Sequence, residues 1–279
     1  MSRHSPHATR KALSSSLSGT RPGSCMIQLE ENIRVPREVA EYNAEAAKDK
    51  FRVVALGDSI TECANMKREE GWAGILEQLL GPGARVVNAG IGGTSSSLGL
   101  YRWRRDVVPM NPHAVVICFL LNDSHIRHYE CSSSYLVQCT PHQMEGNMRA
   151  MFDLAQGMGA EPVMWTPPPV PTWGSKDVRL GIQMQLLELY QSVLERVVAQ
   201  RNVRLVNFWK TFPSLVEEYP GRYFNQPDGY HSTVQAQPIL ARGIRDALAD
   251  SLAAWKSGGY PRAGPRSGPR SGPRSPRGA

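Results

Sequence analysis

Four apolar residues in a row, Val53-Val54-Ala55-Leu56, run into Gly57-Asp58-Ser59, a pattern that predicts a buried parallel strand stopping at a turn. Trp72, Ile75, Leu76 and Leu79 then fall on one helical face, and Gly81-Pro82-Gly83 ends that helix. A second strand, Ala84 to Asn88, leads into the loop Gly90-Ile91-Gly92-Gly93-Thr94-Ser95, followed by a helix through Leu98 to Val108. The longest apolar run, Ala114 to Leu121, reads as a third strand ending at Asn122-Asp123. Met144, Met148, Met151 and Ala155 keep helical spacing, the mark of a core stripe. Pro162 to Thr166 predicts a fourth strand and Val203 to Phe208 a fifth, separated by a helix carrying Leu186, Tyr190, Val193, Leu194 and Val197. A last helix begins near Thr233 and carries Leu240, Ile244, Leu248 and Leu252. Strands alternating with helices imply right-handed crossovers and a parallel sheet covered on both faces. The expectation is one three-layer α/β/α domain over residues 27–256.

Composition changes this picture only at the ends. Of the 279 residues, 41% are hydrophobic, enough for a substantial core. The formal charge of +7 suggests an anionic partner until it is located. Arg3, Arg10, Lys11 and Arg21 lie in the first 22 residues, and Lys256, Arg262, Arg266, Arg270, Arg274 and Arg277 in the last 24, with no acid in either stretch. Subtracting those ten cations from +7 leaves the body at about −3. The charge is a property of the ends, and no specific nucleic-acid partner is expected. The Gly-Pro-Arg-Ser repeats from Gly264 onward have almost nothing apolar to bury, so residues 257–279 are expected to be a disordered, solvated tail. Residues 1–26, rich in Ser, Arg and His, resemble an organellar transit segment in composition or a plain basic extension, and they lack the apolar core of a secretory signal. No stretch is apolar enough to span a membrane, and residence in the cytoplasm is the expectation. Cys25, Cys63, Cys118, Cys131 and Cys139 show no metal-ligand spacing. Cys118 belongs to the core, and Cys131 and Cys139 are read as free thiols, with a bridge across their loop as the alternative.

The strand ends carry the candidate chemistry, because ligands of open α/β sheets bind at the carboxyl edge. The first strand delivers Ser59, the second a glycine loop whose Gly93 amide no side chain obstructs, and the third Asn122. Beyond the fifth comes Asp228-Gly229-Tyr230-His231, a carboxylate and an imidazole three residues apart. A serine hydroxyl is a weak nucleophile at neutral pH and needs a base, which His231 can be; Asp228 can accept from the other ring nitrogen. The amides of Ser59 and Gly93 with the Asn122 side chain can bind an oxyanion. Each residue alone also has a structural reading: Asp58-Ser59 as a helix cap or Asx turn, Asn122-Asp123 as a turn, His231 as a partly buried surface or cap residue.

The blocks Gly57-Asp58-Ser59-Ile60, the Gly93 loop, Asn122-Asp123 and Asp228-Gly229-Tyr230-His231, in this order from about Phe51 to Trp255, resemble those of the SGNH, or GDSL, esterase and lipase family. The resemblance implies a flavodoxin-like five-stranded parallel sheet, Ser59 as nucleophile, His231 as base, Asp228 as its partner, and Ser59, Gly93 and Asn122 as the oxyanion hole. It implies no cofactor and no metal. One position departs from the pattern: Leu120 stands where many members have Gly, which would narrow the pocket or shift the strand end.

The substrate implied is a small-molecule carboxylic ester of small or medium acyl chain, such as an O-acetyl group on a carbohydrate or metabolite. Lysophospholipid or thioester cleavage, acyl transfer to a bound hydroxyl, and a non-catalytic binding module remain alternatives. Ser124 to Pro141 and Pro167 to Val178, the latter with Trp173, are expected lids, pocket walls or neutral surface excursions. Asp123 is read as bracing its loop, Glu62, Glu69 and Glu70 as solvated helix-start charges, and His113, His125, His128 and His142 as surface or loop residues.

Overall fold

The computed structural model describes residues 33–129, 134–170, 178–218, 221–224 and 229–260, with the side chains of 127–129, 134–136 and 178–180 excepted. Asp228, Trp173, Cys131, residues 1–26 and the repeats after Tyr260 lie outside the described residues.

Seven strands occur among the described residues: β1 (Phe51–Gly57), β2 (Ala84–Gly90), β3 (Ala114–Cys118), β4 (Ile126–Tyr129), β5 (Ser134–Val137), β6 (Glu161–Thr166) and β7 (Arg204–Asn207). Five form one sheet in the order β2-β1-β3-β6-β7, every neighbouring pair parallel. Skipping the separate β4–β5 hairpin, this is the flavodoxin-like order 2-1-3-4-5. Burial on both faces requires the continuous apolar runs seen in β1 and β3, where residues 53–56 and 114–118 are wholly buried. Helices Trp72–Leu80 and Gln237–Ala247 pack together on one face. Helices Ser96–Tyr101, Pro141–Gly157 and Val178–Gln200 cover the other, with Met144, Met148, Met151 and Ala155 buried beneath them.

Register sets the site. Gly57 of β1 pairs with Gly90 of β2 and with Cys118 of β3, so the three strands end in one row and their connecting turns stand side by side above it. Gly57 is obligatory there, since a Cβ would lie 2.0 Å from Thr61 Oγ1 and 2.8 Å from the Cys118 carbonyl.

Three expected elements differ in extent. β3 stops at Cys118, and Leu120–Asp123 form a helical turn. A continuous apolar run cannot distinguish a buried strand from a buried turn, and Phe119 (φ −141°, ψ 0°) leaves the extended conformation. Leu120 is fully buried in the core. The last helix begins at Gln237, because Thr233 to Ala236 make a turn and Pro238 suits the first helical turn; it divides at Leu248 into Gln237–Ala247 and Ala249–Lys256. The helix expected over Leu98 to Val108 is broken into Ser96–Tyr101, Trp103–Asp106 and a short 3-10 turn at Val108–Met110. The stretch after Asn122 folds as the antiparallel β4–β5 hairpin, for which its sequence carried no turn signal strong enough to read.

Candidate active site

Asp58 caps the helical turn Ser59–Glu62: its carboxylate accepts from the Ile60 amide at 3.0 Å. The cap reading of Asp58 is therefore correct, and it places Ser59 as the first residue of the turn at the sheet edge. The Ser59 hydroxyl meets His231 Nε2 at 2.9 Å, across a sequence separation of 172 residues. The histidine segment is held from both sides. Thr233 donates its amide to the Tyr223 carbonyl at 3.0 Å and its hydroxyl to the Arg222 carbonyl at 2.7 Å. Buried Gln237 donates to the Ser232 and Thr233 carbonyls, and its own carbonyl oxygen accepts from the Trp72 amide and the Cys63 thiol. One glutamine thus couples the segment carrying His231 to the loop that follows Ser59.

The glycine loop lies against the same serine. A Cβ on Gly92 would be 3.5 Å from Ser59 Cβ. The Gly92 amide donates to Glu62 Oε2 at 2.5 Å, and Glu62 also pairs with Arg34. Glu62 is therefore not a solvated helix-start charge: standing three residues after Ser59 on a helical turn, it points at the neighbouring loop. Gly93 has φ +73°, a backbone conformation suited to glycine, and its carbonyl accepts from Gln138 Nε2 at 2.8 Å.

Asn122, 9% exposed, donates one side-chain N–H to Asp58 Oδ2 at 3.0 Å. An amide nitrogen carries two hydrogens, so this bond fixes the direction of the second. Burial pushes the Asp58 carboxyl up to about 6, and the bonds from Asn122 and Ile60 pull against that rise. Asp123 accepts from the Ser96 amide at 2.7 Å, and burial drives its carboxyl up to about 7. It braces two loops, since its carbonyl also accepts from the Cys139 amide.

A residue that sequence reasoning passed over lies beneath the site. Arg102 is 2% exposed and donates to the Ala89 carbonyl at 2.6 Å, the Gly57 carbonyl at 2.8 Å and Asp106 Oδ2 at 2.7 Å. It ties together the carboxyl ends of β1 and β2. Among Arg102, Arg104 and Arg105, only the i,i+4 spacing to Asp106 could have singled it out.

The other histidines with described side chains lie apart from one another. His113 lies at the opposite end of the sheet, accepting the Arg52 amide at Nδ1 and stacked on Phe51, where burial pulls its pKa down to about 4. It is a packed residue of an aromatic cluster with Trp255 and Tyr260 rather than a surface group. His125 stands edge-on to Tyr230 and His142 is exposed. Cys63, Cys118 and Cys139 are free thiols. Among the described residues, no three His, Cys, Asp or Glu side chains gather as metal ligands, and no helix is long and apolar enough to cross a membrane.

A profile of the GDSL-like lipase/acylhydrolase family matches residues 55–237, about two thirds of the chain. The chain belongs to this family. Esterase TesA of Pseudomonas aeruginosa is 27% identical over 205 residues, spanning 70% of this chain and 87% of that one. Among solved structures, a crystal structure of TesA superposes with a TM-score of 0.56 at 26% identity, covering 72% of this chain and 99% of that one. An acetyl xylan esterase, AlAXEase, shares the fold with a TM-score of 0.57 at 19% identity, covering 71% and 99%. As a GDSL hydrolase the protein acts on ester bonds, and the family match begins inside β1 and closes at Gln237, enclosing Ser59, the glycine loop, Asn122 and His231.

Proposed function

We propose that the protein is a serine esterase for small or medium acyl esters, with Ser59 as nucleophile and His231 as base. The observation that carries this reading is the 2.9 Å contact between Ser59 Oγ and His231 Nε2 at the sheet edge. Ser59 Oγ attacks the ester carbonyl carbon as its proton passes to His231 Nε2. The C–O bond to the alcohol then breaks, and the alcohol leaves with that proton. Water, deprotonated by the same imidazole, attacks the acyl-serine and releases the acid. Asp228 is assigned to the other ring nitrogen, where a carboxylate stabilises the imidazolium of each step.

The oxyanion is assigned to the Ser59 amide, the Gly93 amide and the second N–H of Asn122. Gly93, at the second central position of the turn with φ +73°, is assigned as the loop's donor, and the Gly92 amide donates to Glu62. A cleft of about 90 Å³ beside the serine, lined by Ser59, Ile60, Cys63, Met66, His231 and Gln237, supports a small acyl group. The acetyl xylan esterase sharing this fold makes acetylated sugars the first substrates to try.

The test is hydrolysis of p-nitrophenyl acetate and butyrate, followed by a panel of acetylated sugars, lysophospholipids and acyl thioesters, by the wild type and by Ser59→Ala. Turnover of the short esters that Ser59→Ala loses by at least about 1000-fold at unchanged Tm is expected. Retained activity in Ser59→Ala, or no labelling of Ser59 by a fluorophosphonate, overturns the reading.

A further inference from the structure

We infer that Glu62 and Gln138 are positioning residues that lock the turn Ile91–Thr94 in the one peptide orientation able to present the Gly93 N–H to an oxyanion. The inference rests on the assignment of Gly93 as an oxyanion donor and goes beyond it, since neither side chain belongs to the reacting set.

The turn is closed by the Thr94 amide and hydroxyl, both donating to the Ile91 carbonyl, at 3.3 and 2.7 Å. Its two central residues are both glycine, and Gly93 at the second central position has φ +73°. With Gly92 outside the positive-φ region, that value marks a type II turn, whose second central position has φ near +80°, whereas type I has φ near −90° there. The two types differ chiefly by rotation of the central peptide through about 180°. The central peptide here is Gly92–Gly93, which carries the Gly93 N–H. Tandem glycines remove the steric preference that would otherwise select one orientation. A flip would turn the oxyanion donor away and put a carbonyl dipole in its place.

The contacts oppose that flip from both sides. The peptide before the central one ends in the Gly92 N–H, held by Glu62 Oε2 at 2.5 Å. The peptide after it begins with the Gly93 carbonyl, held by Gln138 Nε2 at 2.8 Å. Both neighbours of the functional peptide are pinned by side chains from different parts of the fold. Glu62 reaches from the turn that carries Ser59 and is itself fixed by Arg34. Gln138 reaches from the base of the β4–β5 hairpin, where its own amide donates to the His125 carbonyl at 3.0 Å. The hairpin therefore acts on the site through Gln138, and the oxyanion loop is referenced to the nucleophile through Glu62.

The experiment compares Glu62→Ala, Glu62→Gln, Gln138→Ala and the control Glu70→Ala, whose carboxylate caps the Lys67 amide instead. Hydrolysis of p-nitrophenyl acetate is expected to show kcat lowered about 10- to 100-fold in Glu62→Ala and Gln138→Ala, with KM within about twofold. Glu62→Gln, which keeps an acceptor for the Gly92 amide, should recover most of the loss, and Glu70→Ala should match the wild type. In parallel, ¹⁵N-glycine spectra should show one sharp state for Gly92 and Gly93 in the wild type and exchange broadening or a second set in Glu62→Ala. Wild-type kcat in both alanine variants, a loss confined to KM, or unaltered glycine resonances overturns the clamp. If a fluorophosphonate fails to label Ser59, the esterase reading fails, while the spectra still decide whether the clamp exists.

Discussion

Replacing Arg102 with Met removes a guanidinium that joins the ends of β1 and β2 below the site. The side chain is 1% exposed and its partner Asp106 is fully buried, so neither charge is compensated by water. Breaking one side of a buried ion pair costs about 3–5 kcal/mol, since the surviving charge stays desolvated. Asp106 keeps Arg105 at 2.5 and 2.9 Å, which places this contribution at the low end, ~3 kcal/mol. The Ala89 and Gly57 carbonyls each lose a charged donor, ~1 kcal/mol apiece. The sum, ~5 kcal/mol, corresponds to a fall in Tm of about 10–20 °C for a domain of this size. Arg102→Met combined with Asp106→Leu leaves no buried charge behind and should regain ~2–3 kcal/mol over the single variant. Urea unfolding followed by tryptophan fluorescence gives both values. Arg102→Met within 1 kcal/mol of the wild type, or a double variant no more stable than the single, would refute the assignment of Arg102 as a structural tie.

Two further outcomes follow from the same geometry. Because Asp123 titrates near 7 when folded and near 4 when unfolded, the folded state binds its proton more tightly between those values. Its contribution to stability is full below pH 4 and is lost as pH rises through 7, ~4 kcal/mol at most. Asp123→Asn keeps an acceptor for the Ser96 amide and should flatten the decline of Tm between about pH 4 and 7; an unchanged slope argues against a raised pKa. Asp58 adds a similar decline that ends nearer pH 6. Gly90→Ala would set a Cβ 2.3 Å from the Glu62 amide nitrogen and 2.7 Å from Glu62 Cα. Both are backbone atoms with little freedom to move, so the Ser59 turn must shift from β2, and kcat on p-nitrophenyl acetate should fall about 100-fold. A kcat within twofold of the wild type would show that the turn and β2 can separate without consequence.

Much of the architecture is written locally. Apolar runs of four to eight residues between helical stripes specify parallel strands because burial on both faces tolerates few polar residues. The glycine and Asn-Asp punctuation marks their carboxyl ends, where an open α/β sheet binds its ligands. Ser59, Gly93, Asn122 and His231 stand out as candidates for that reason, since each follows such an end or precedes a helix. The candidate Asp228 lies outside the described residues. The end of β3 was not legible: Leu120 and Leu121 are as apolar as the strand before them, and only the backbone turn at Phe119 separates strand from helical turn.

What the sequence determined by itself is the order of elements and the residue types at each strand end, because periodicity and turn chemistry act over a few residues. What only the tertiary structure decided is which polar side chains meet across the chain. Glu62 looks like a solvated carboxylate until the register of Gly57 with Gly90 brings the glycine loop beside it. Arg102 looks like one of several helix cations until the ends of two strands present their carbonyls to it. Gln138 carries no signal at all, yet it grips the Gly93 carbonyl. Hydrogen bonds between distant residues depend on ångström-scale placement, and that placement exists only once the sheet has fixed its register.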